Sequence, residues 1–261
     1  MLRPMPRGTL TGGERRRLRP LAAAIARAAG QGPSRLEPVA GGLPQGGRVG
    51  LLAGTFNPFT RAHAALAVAG HRAGCERVLL AMAPVSLDKE RLERAHPVDR
   101  LDWAARWTRR RSWAVAAAAS HPLLVDMAEA LAGMTGAEVA LLLGADKAAQ
   151  LVEARYYDDP PAAIARLRRA AVLLVAERDG HPLADLPLPT ARLPTAAWVP
   201  GRSATEAREA AGRGLPLDRL VPAAIARAVE RTGAYDADPT SYLARARELD
   251  DLVAEESGQG G

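Results

Sequence analysis

The chain has little cysteine, few aromatic residues and no long hydrophobic run. It contains a single cysteine among its 261 residues, so an internal disulfide is excluded. No stretch reaches about 18 consecutive apolar residues, which excludes a typical membrane-spanning helix, and the early apolar segment contains Arg27, which disfavours a signal peptide. Aromatic residues make up only 4% of the chain, which disfavours a nucleic-acid-binding surface. We therefore expect a cytoplasmic globular protein with no membrane partner.

The charge that is present is mostly arginine. The net charge is +6, and Lys89 and Lys147 are the only lysines. A positive net charge favours binding of phosphate-bearing partners, although these arginines are scattered along the chain. The cluster at residues 15–19 is compatible with a nucleic-acid arm, with a transit peptide or with a solvated segment leading into a helix, and the last interpretation is favoured.

Short apolar runs alternate with segments of helical spacing over most of the chain. The runs lie at residues 48–53, 76–83, 112–117, 138–143, 171–176 and 196–199. This alternation predicts an α/β fold, a doubly wound parallel sheet with helices on both faces. We predict four parts. Residues 1–45 contain a helix near 20–29 and a Gly/Pro-rich linker, and residues 46–200 form a nucleotide-binding domain. Residues 201–235 are a helical part that completes the site, and residues 236–261 are a helix with a flexible tail.

Ligands of such sheets bind beyond the carboxyl ends of the strands, so the residues that follow each run are informative. GTFNPFTRAH follows the first run, at residues 54–63. Gly54 allows a tight exit from the strand or a close approach to a ligand. Thr60 stands where a helix N-cap is expected, and His63 lies one turn further on. Such a helix end offers free amide groups to an anion, although a capped helix with an incidental histidine has the same sequence.

A second candidate anion site is SATEAR, at residues 203–208. Ser203 followed three residues later by Glu206 is a capping box, which satisfies the helix amides without any ligand. Arg208 lies near the same helix start, where a guanidinium can bind phosphate oxygens. Two such helix ends facing one crevice would bind a polyphosphate.

These segments resemble the signatures of the nucleotidyltransferase superfamily. GTFNPFTRAH is similar to GxFxPxHxGH, with Thr60 at a position where the superfamily accepts His or Thr, and SATEAR is similar to ISSTxxR. The GAD triplet at 144–146, LLVAERDG and LVPAAIARAVERTGAY resemble segments of nicotinate or nicotinamide mononucleotide adenylyltransferases. The resemblance runs from about residue 48 to Tyr235 and implies a Rossmann-like fold.

The resemblance implies transfer of AMP from ATP to a pyridine mononucleotide in NAD biosynthesis, with Mg²⁺ bound through the ATP phosphates. It implies that His63 stabilises charge at the α-phosphate, that Thr60 contacts phosphate and that Arg208 binds the β- and γ-phosphates. The nucleotide-binding residues that it implies are Gly54, Thr55, Phe56, Gly144, Asp146, Ser203 and Thr205. Looser matches assign substrate contacts to Lys89, Arg178 and Tyr156. The remaining histidines lack metal-ligand spacing, and no metal site within the protein is predicted.

The chain departs from the superfamily pattern at three positions. Ala62 replaces the glycine of the first signature, Ala204 replaces a serine of the second, and the position expected for a pyridine-stacking tryptophan falls near Ala154. Two alternatives therefore stay open: a sibling such as phosphopantetheine adenylyltransferase, and a nucleotide-binding protein that has lost turnover. The sequence leaves open the choice between nicotinate and nicotinamide, and whether the chain forms a homo-oligomer.

Overall fold

The computed structural model describes residues 9–29, 34–40, 42–43, 45–83, 95–121, 123–151, 153, 157–177, 186–194 and 203–258. Its strands are β1 (Leu36–Pro38), β2 (Arg48–Gly54), β3 (Arg77–Met82), β4 (Ala114–Ala119), β5 (Glu138–Gly144), β6 (Ala171–Ala176) and β7 (Thr190–Arg192). Its helices are α1 (Gly12–Ala28), α2 (Arg61–Arg72), α3 (Pro97–Thr108), α4 (Leu124–Thr135), α5 (Ala145–Gln150), α6 (Pro160–Ala170), α7 (Ala204–Gly212), α8 (Ala223–Thr232) and α9 (Thr240–Glu256).

The described strands form one sheet in the order β1-β4-β3-β2-β5-β6-β7. All neighbours are parallel except β1, which pairs antiparallel with β4 at the edge. The chain builds outward from β2 through β3 to β4, then returns to the other side of β2 for β5 and β6. The strand order therefore reverses between the parallel strands β2 and β5, which is where the binding crevice of a doubly wound sheet is expected.

Alternate residues of the strands serve two separate cores. Leu52 and Leu80 point to the face covered by α1, α2, α3, α8 and α9, whereas Leu51 and Leu79 point to the face covered by α4, α5 and α6. Because both faces are buried, the strands are apolar throughout their length. The predicted Rossmann-like α/β fold is confirmed.

Two edge strands were not predicted, and one predicted strand cannot be compared. β1 is three residues long and lies in the segment predicted as a linker, and β7 is equally short. The predicted strand at 196–199 lies outside the described residues. Within the described ranges, no helix combines the length and apolarity that crossing a bilayer requires.

Helix α1 begins at Gly12, eight residues before the predicted start near Pro20. The reason is a capping box, whose Thr-x-x-Glu pattern is present in the sequence at 11–14 and was overlooked in the prediction: the side chain of Thr11 accepts the amide of Glu14, and the Glu14 carboxylate accepts the amide of Thr11. Pro20 is inside the helix rather than at its start. Arginines of the 15–19 cluster pair with acids on other helices, so the cluster is not simply solvated: Arg17 bonds Asp102, as Arg15 and Arg19 bond Glu255 and Glu256.

Helix α2 lies unusually close to the sheet. A Cβ added to Gly70 would lie 2.4 Å from Cδ1 of Leu142, and one added to Gly50 would lie 3.0 Å from the same atom. Glycines in α2 and β2 thus make room for one leucine of β5, which fixes how α2 sits above the switch point of the sheet. The first turn of α2 follows the carboxyl end of β2 in the chain.

Candidate functional site

A closely packed turn connects β2 to α2. A Cβ on Gly54 would lie 3.2 Å from the ring of Phe56, a tight contact, because that ring folds back over the end of the strand. Phe56 is buried and has a φ of 45°, a left-handed conformation that residues other than glycine seldom adopt. The Asn57–Pro58 peptide bond is cis. The turn therefore has a specific conformation that carries the chain directly into α2.

The first turn of α2 orients the imidazole of His63. Thr60 is the N-cap; its amide donates to Nδ1 of His63 at 2.9 Å, and its hydroxyl accepts from the His63 amide at 3.4 Å. The histidine thus takes the place that Glu or Gln has in an ordinary capping box. The rings of Phe56 and Phe59 flank the imidazole, with centroids 5.2 and 5.5 Å away.

These contacts determine which nitrogen of His63 can act as a donor. Because Nδ1 accepts an amide hydrogen, the neutral ring carries its proton on Nε2. Burial lowers the pKa of His63 to about 4, so the free protein holds the ring neutral near neutral pH. The imidazole retains partial exposure to solvent. It is therefore a fixed neutral donor over the amino end of α2.

The second anion candidate is joined to this turn. Ser203 is the N-cap of α7 and its side chain accepts the amide of Glu206 at 3.1 Å, one half of the predicted capping box. Arg208 donates to the carbonyl oxygen of Asn57 at 2.7 Å and to the hydroxyl of Thr205 at 3.0 Å. The helix starts predicted from distant segments are thus brought together, with one guanidinium connecting them.

The strand on the other side of the switch point ends level with the turn. β2 and β5 are paired up to Leu51 and Leu141, and the same register places Gly144 opposite Gly54. The ladder ends three residues before these glycines, so the crevice opens between them. Gly144 is buried at the start of α5, and Asp146 is exposed in its first turn.

The structure adds three residues that the sequence analysis did not select. Oδ1 of Asn57 accepts the hydroxyl of Tyr235 at 2.6 Å and the amide of Ala95 at 3.3 Å. Arg100 is 1% exposed and donates to the carbonyl oxygen of Thr55 at 2.9 Å. Asn57 and Tyr235 lie in the segments that carry the resemblance, but a single sequence does not reveal that they touch.

Not every predicted site residue can be placed. Lys89, Tyr156 and Arg178 lie outside the described residues. Thr60 is 1% exposed and its hydroxyl contacts His63, so the geometry gives it a role in orienting the ring. Its predicted contact with phosphate stays a prediction.

The assembled groups have the chemistry of an anion site. The amino ends of α2 and α7 carry partial positive charge. In α2 the amide of Arg61 already donates to the carbonyl oxygen of Leu220 and that of His63 to its own N-cap, so few amides remain there for a ligand. Arg208 adds a guanidinium at the surface and Arg100 adds a buried one behind the turn. Such an arrangement can bind a ligand with several negative charges, and the Nε2 hydrogen of His63 can donate to one of its oxygens.

Comparison with known proteins identifies solved structures with a similar fold. No protein-family model matches the chain, and no curated protein matches its sequence. The fold is similar to that of Plasmodium falciparum nicotinic acid mononucleotide adenylyltransferase complexed with NaAD, with a TM-score of 0.59 and 13% identity. A second structure of that enzyme, complexed with APC, gives a TM-score of 0.56 and 12% identity. Each match covers 73% of this chain and 98% of the other chain.

A third similar structure is a Vibrio parahaemolyticus protein described as a putative nicotinate-nucleotide adenylyltransferase. Its TM-score is 0.50 at 13% identity, over 73% of this chain and 96% of that chain. At such identities these similarities establish the fold, whereas the chemistry has to be argued from the site itself.

Proposed function

We propose that this protein is a nucleotidyltransferase that transfers AMP from ATP to nicotinate or nicotinamide mononucleotide, releasing pyrophosphate. The observation that carries the proposal is the bond from Arg208 to the carbonyl oxygen of Asn57, which joins the amino ends of α2 and α7 at the switch point of the sheet. Two of the similar solved structures are of a nicotinic acid mononucleotide adenylyltransferase, one of them complexed with NaAD. That likeness supports the choice of acceptor.

The proposed reaction is a direct in-line displacement. A phosphate oxygen of the mononucleotide attacks the α-phosphorus of ATP and forms a new P–O bond, while the bond from the α-phosphorus to the bridging oxygen breaks and its electrons leave with pyrophosphate. No covalent intermediate with the protein is needed. Catalysis of such a step depends mainly on positioning and on neutralising charge.

The residues of the site are assigned roles that match their geometry. Nε2 of His63 donates to a non-bridging oxygen of the α-phosphate, where negative charge develops. Arg208 and the free amides of α7, with Ser203 and Thr205 beside them, bind the β- and γ-phosphates. Thr60 orients His63 from its buried position.

The nucleoside would lie across the switch point. Backbone groups of Thr55 and Phe56, next to Gly54, would contact the nucleotide, and Gly144 and Asp146 would hold the ribose of ATP. An exposed carboxylate at the start of α5 suits ribose hydroxyls, which can donate to it.

Mg²⁺ enters the proposal with its phosphate ligands. Among the described residues, no group of three or more His, Cys, Asp or Glu side chains is placed to hold a metal ion. The donors that we assign to Mg²⁺ are the phosphate oxygens of ATP, hard oxygen ligands of the kind that this ion prefers. Bound there, it would neutralise charge on the leaving pyrophosphate.

Pyrophosphate release with a panel of acceptors tests the proposal. The purified protein is incubated with ATP, Mg²⁺ and, separately, nicotinate mononucleotide, nicotinamide mononucleotide or phosphopantetheine. We expect release with a pyridine mononucleotide. Release with phosphopantetheine alone, or tight ATP binding without release from any acceptor, would contradict the proposal and support a sibling activity or a decayed enzyme, respectively.

A histidine variant with a matched control tests the mechanism. We expect His63→Ala to lower kcat by roughly a hundredfold to a thousandfold, the scale for losing one preorganised donor. His71→Ala is the control, since His71 lies on the same helix but stacks on Trp113, with ring centroids 4.5 Å apart, at the far end from the turn. It should keep wild-type turnover. Equal rates for His63→Ala and wild type would remove His63 from the mechanism.

A further inference from the structure

A buried charged cluster joins helix α9 to the first turn of α3. The carboxylate of Asp99 is fully buried and accepts two bonds from Arg245, Nε to Oδ2 at 3.0 Å and Nη2 to Oδ1 at 2.8 Å. The hydroxyl of Tyr242 donates to the same carboxylate at 3.0 Å. Arg245 also reaches Glu14 of α1, at 3.4 Å. The Asp99–Arg245 ion pair is therefore out of contact with water, whereas Glu14 is partly exposed.

The same helix fixes the N-cap of α3. The amide of His96 donates to the hydroxyl oxygen of Tyr242 at 2.6 Å. Nδ1 of His96 accepts the amide of Val98, which leaves Nε2 to donate to Asp250 of α9 at 3.0 Å. Three side chains of α9 thus determine where the amino end of α3 lies.

That end of α3 holds the turn between β2 and α2. The amide of Ala95, next to the N-cap, donates to Oδ1 of Asn57 at 3.3 Å. Arg100, next to Asp99, donates to the carbonyl oxygen of Thr55 at 2.9 Å and to that of Ala83 at 3.4 Å. The residues that touch α9 and those that touch the turn are therefore adjacent in sequence.

We propose that Tyr242 and Arg245 of α9 are positioning residues for nucleotide binding, acting through the first turn of α3 on the turn that carries Thr55 and Asn57. The proposal rests on the proposed function in that this turn contacts ATP. The hydrogen bonds of these two residues go to His96, Asp99 and Glu14, which lie outside the turn. Their effect on ATP is transmitted by Asp99 to Arg100 and by His96 to Ala95.

Hydrogen bonds, rather than apolar packing, transmit this effect. Other α9 residues, such as the fully buried Leu249, contribute to the same core without contacting the amino end of α3 through a polar group. A cavity at Leu249 lowers stability but leaves the hydrogen bonds of Asp99 in place. The two kinds of substitution therefore separate positioning from general stability.

The test compares variants of the full chain by three measurements besides turnover. ATP affinity with Mg²⁺ is measured by calorimetry, amide hydrogen exchange is measured for residues 54–60 without ligand, and the melting temperature reports stability. Tyr242→Phe removes the hydroxyl oxygen alone. Arg245→Lys keeps the positive charge but loses the bidentate hydrogen bonding to Asp99. Leu249→Ala is the stability control, and Arg247→Ala, at an exposed position of α9, is the surface control.

We expect both positioning variants to weaken ATP binding by about three- to thirtyfold, the usual range for residues that couple to a site without touching its ligand. Exchange at residues 54–60 should accelerate in the same variants. In turnover assays the KM for ATP should rise more than kcat falls, because bound ATP restores the turn. Leu249→Ala should melt earlier with unchanged ATP affinity, and Arg247→Ala should match wild type.

Failure of this proposal and failure of the proposed function give different results. If Tyr242→Phe and Arg245→Lys lower only the melting temperature, leaving ATP affinity and exchange at 54–60 at wild-type values, the positioning role is refuted while turnover of the wild type stands. If the wild type releases no pyrophosphate with a pyridine mononucleotide, the proposed function is refuted. The exchange comparison, which needs no ligand, then still decides the positioning role.

Discussion

The protonation of His63 makes folding stability depend on pH. Burial lowers the pKa of its ring in the folded protein to about 4, whereas the ring of an unfolded chain titrates near 6.5. The unfolded state thus binds a proton between these values and the folded state does not. Stability is full above about pH 6.5 and is lost as the pH falls toward 4.

The size of this effect follows from the two pKa values. Between about pH 7 and about pH 4.5, one group with such a shift removes about 2 kcal/mol from the free energy of unfolding. Partial exposure of the ring makes this figure an upper bound, because solvent reduces the cost of charging it. The positive end of the α2 dipole acts in the same direction as burial, since it disfavours an imidazolium.

Urea denaturation of the wild type and His63→Ala at both pH values isolates this contribution. Other groups titrate too, including His96, whose pKa burial also lowers, but they are common to both proteins. The wild type should lose up to about 2 kcal/mol more than the variant on acidification. Equal losses would mean that the folded ring charges as easily as the unfolded one, and the assignment of a neutral Nε2 donor would be wrong.

Two further predictions concern the packing around the sheet, one a pair of glycine substitutions and the other the reactivity of a thiol. Gly70→Ala and Gly133→Ala add the same methyl group to helices, but at Gly70 it meets Leu142 at 2.4 Å and at Gly133 nothing lies within 4 Å; we expect Gly70→Ala to be less stable than Gly133→Ala by about 1–3 kcal/mol in urea denaturation. Cys75 is 1% exposed and burial raises its pKa to about 11, so near pH 8 a disulfide reagent should modify the native thiol about a hundredfold more slowly than the denatured one.

The central part of the fold could be predicted from the sequence because local pattern and tertiary environment agree there. Strands buried on both faces need apolar side chains at every position, and β5 and β6 lie within a residue of their predicted bounds. The edge strands β1 and β7 have three residues each and only one neighbour, so neither length nor hydrophobicity marks them. Their pairing depends on the strands already in place.

The candidate site could be predicted only in part, for a related reason. Thr60 and His63 interact three residues apart, so their spacing in the sequence is informative. The contact of Arg208 with Asn57 joins residues 151 positions apart, and that of Arg245 with Asp99 spans 146. No periodicity encodes such pairs. A buried arginine such as Arg100 also reads as a solvated helix residue until its partners are known.

The electrostatic balance of the crevice explains why a neutral histidine suits it. The amino ends of α2 and α7, Arg208 and the buried Arg100 all favour negative charge, and an imidazolium at His63 would add repulsion among them. In the free protein the ring therefore stays neutral, held by the amide of Thr60. In the proposed reaction, phosphate oxygens at the same place would bring the opposite sign and strengthen the Nε2 hydrogen as a donor. The hydrogen bond from His63 would thus strengthen as negative charge on the ligand increases. A residue that stabilises a transition state more than the ground state must behave in this way.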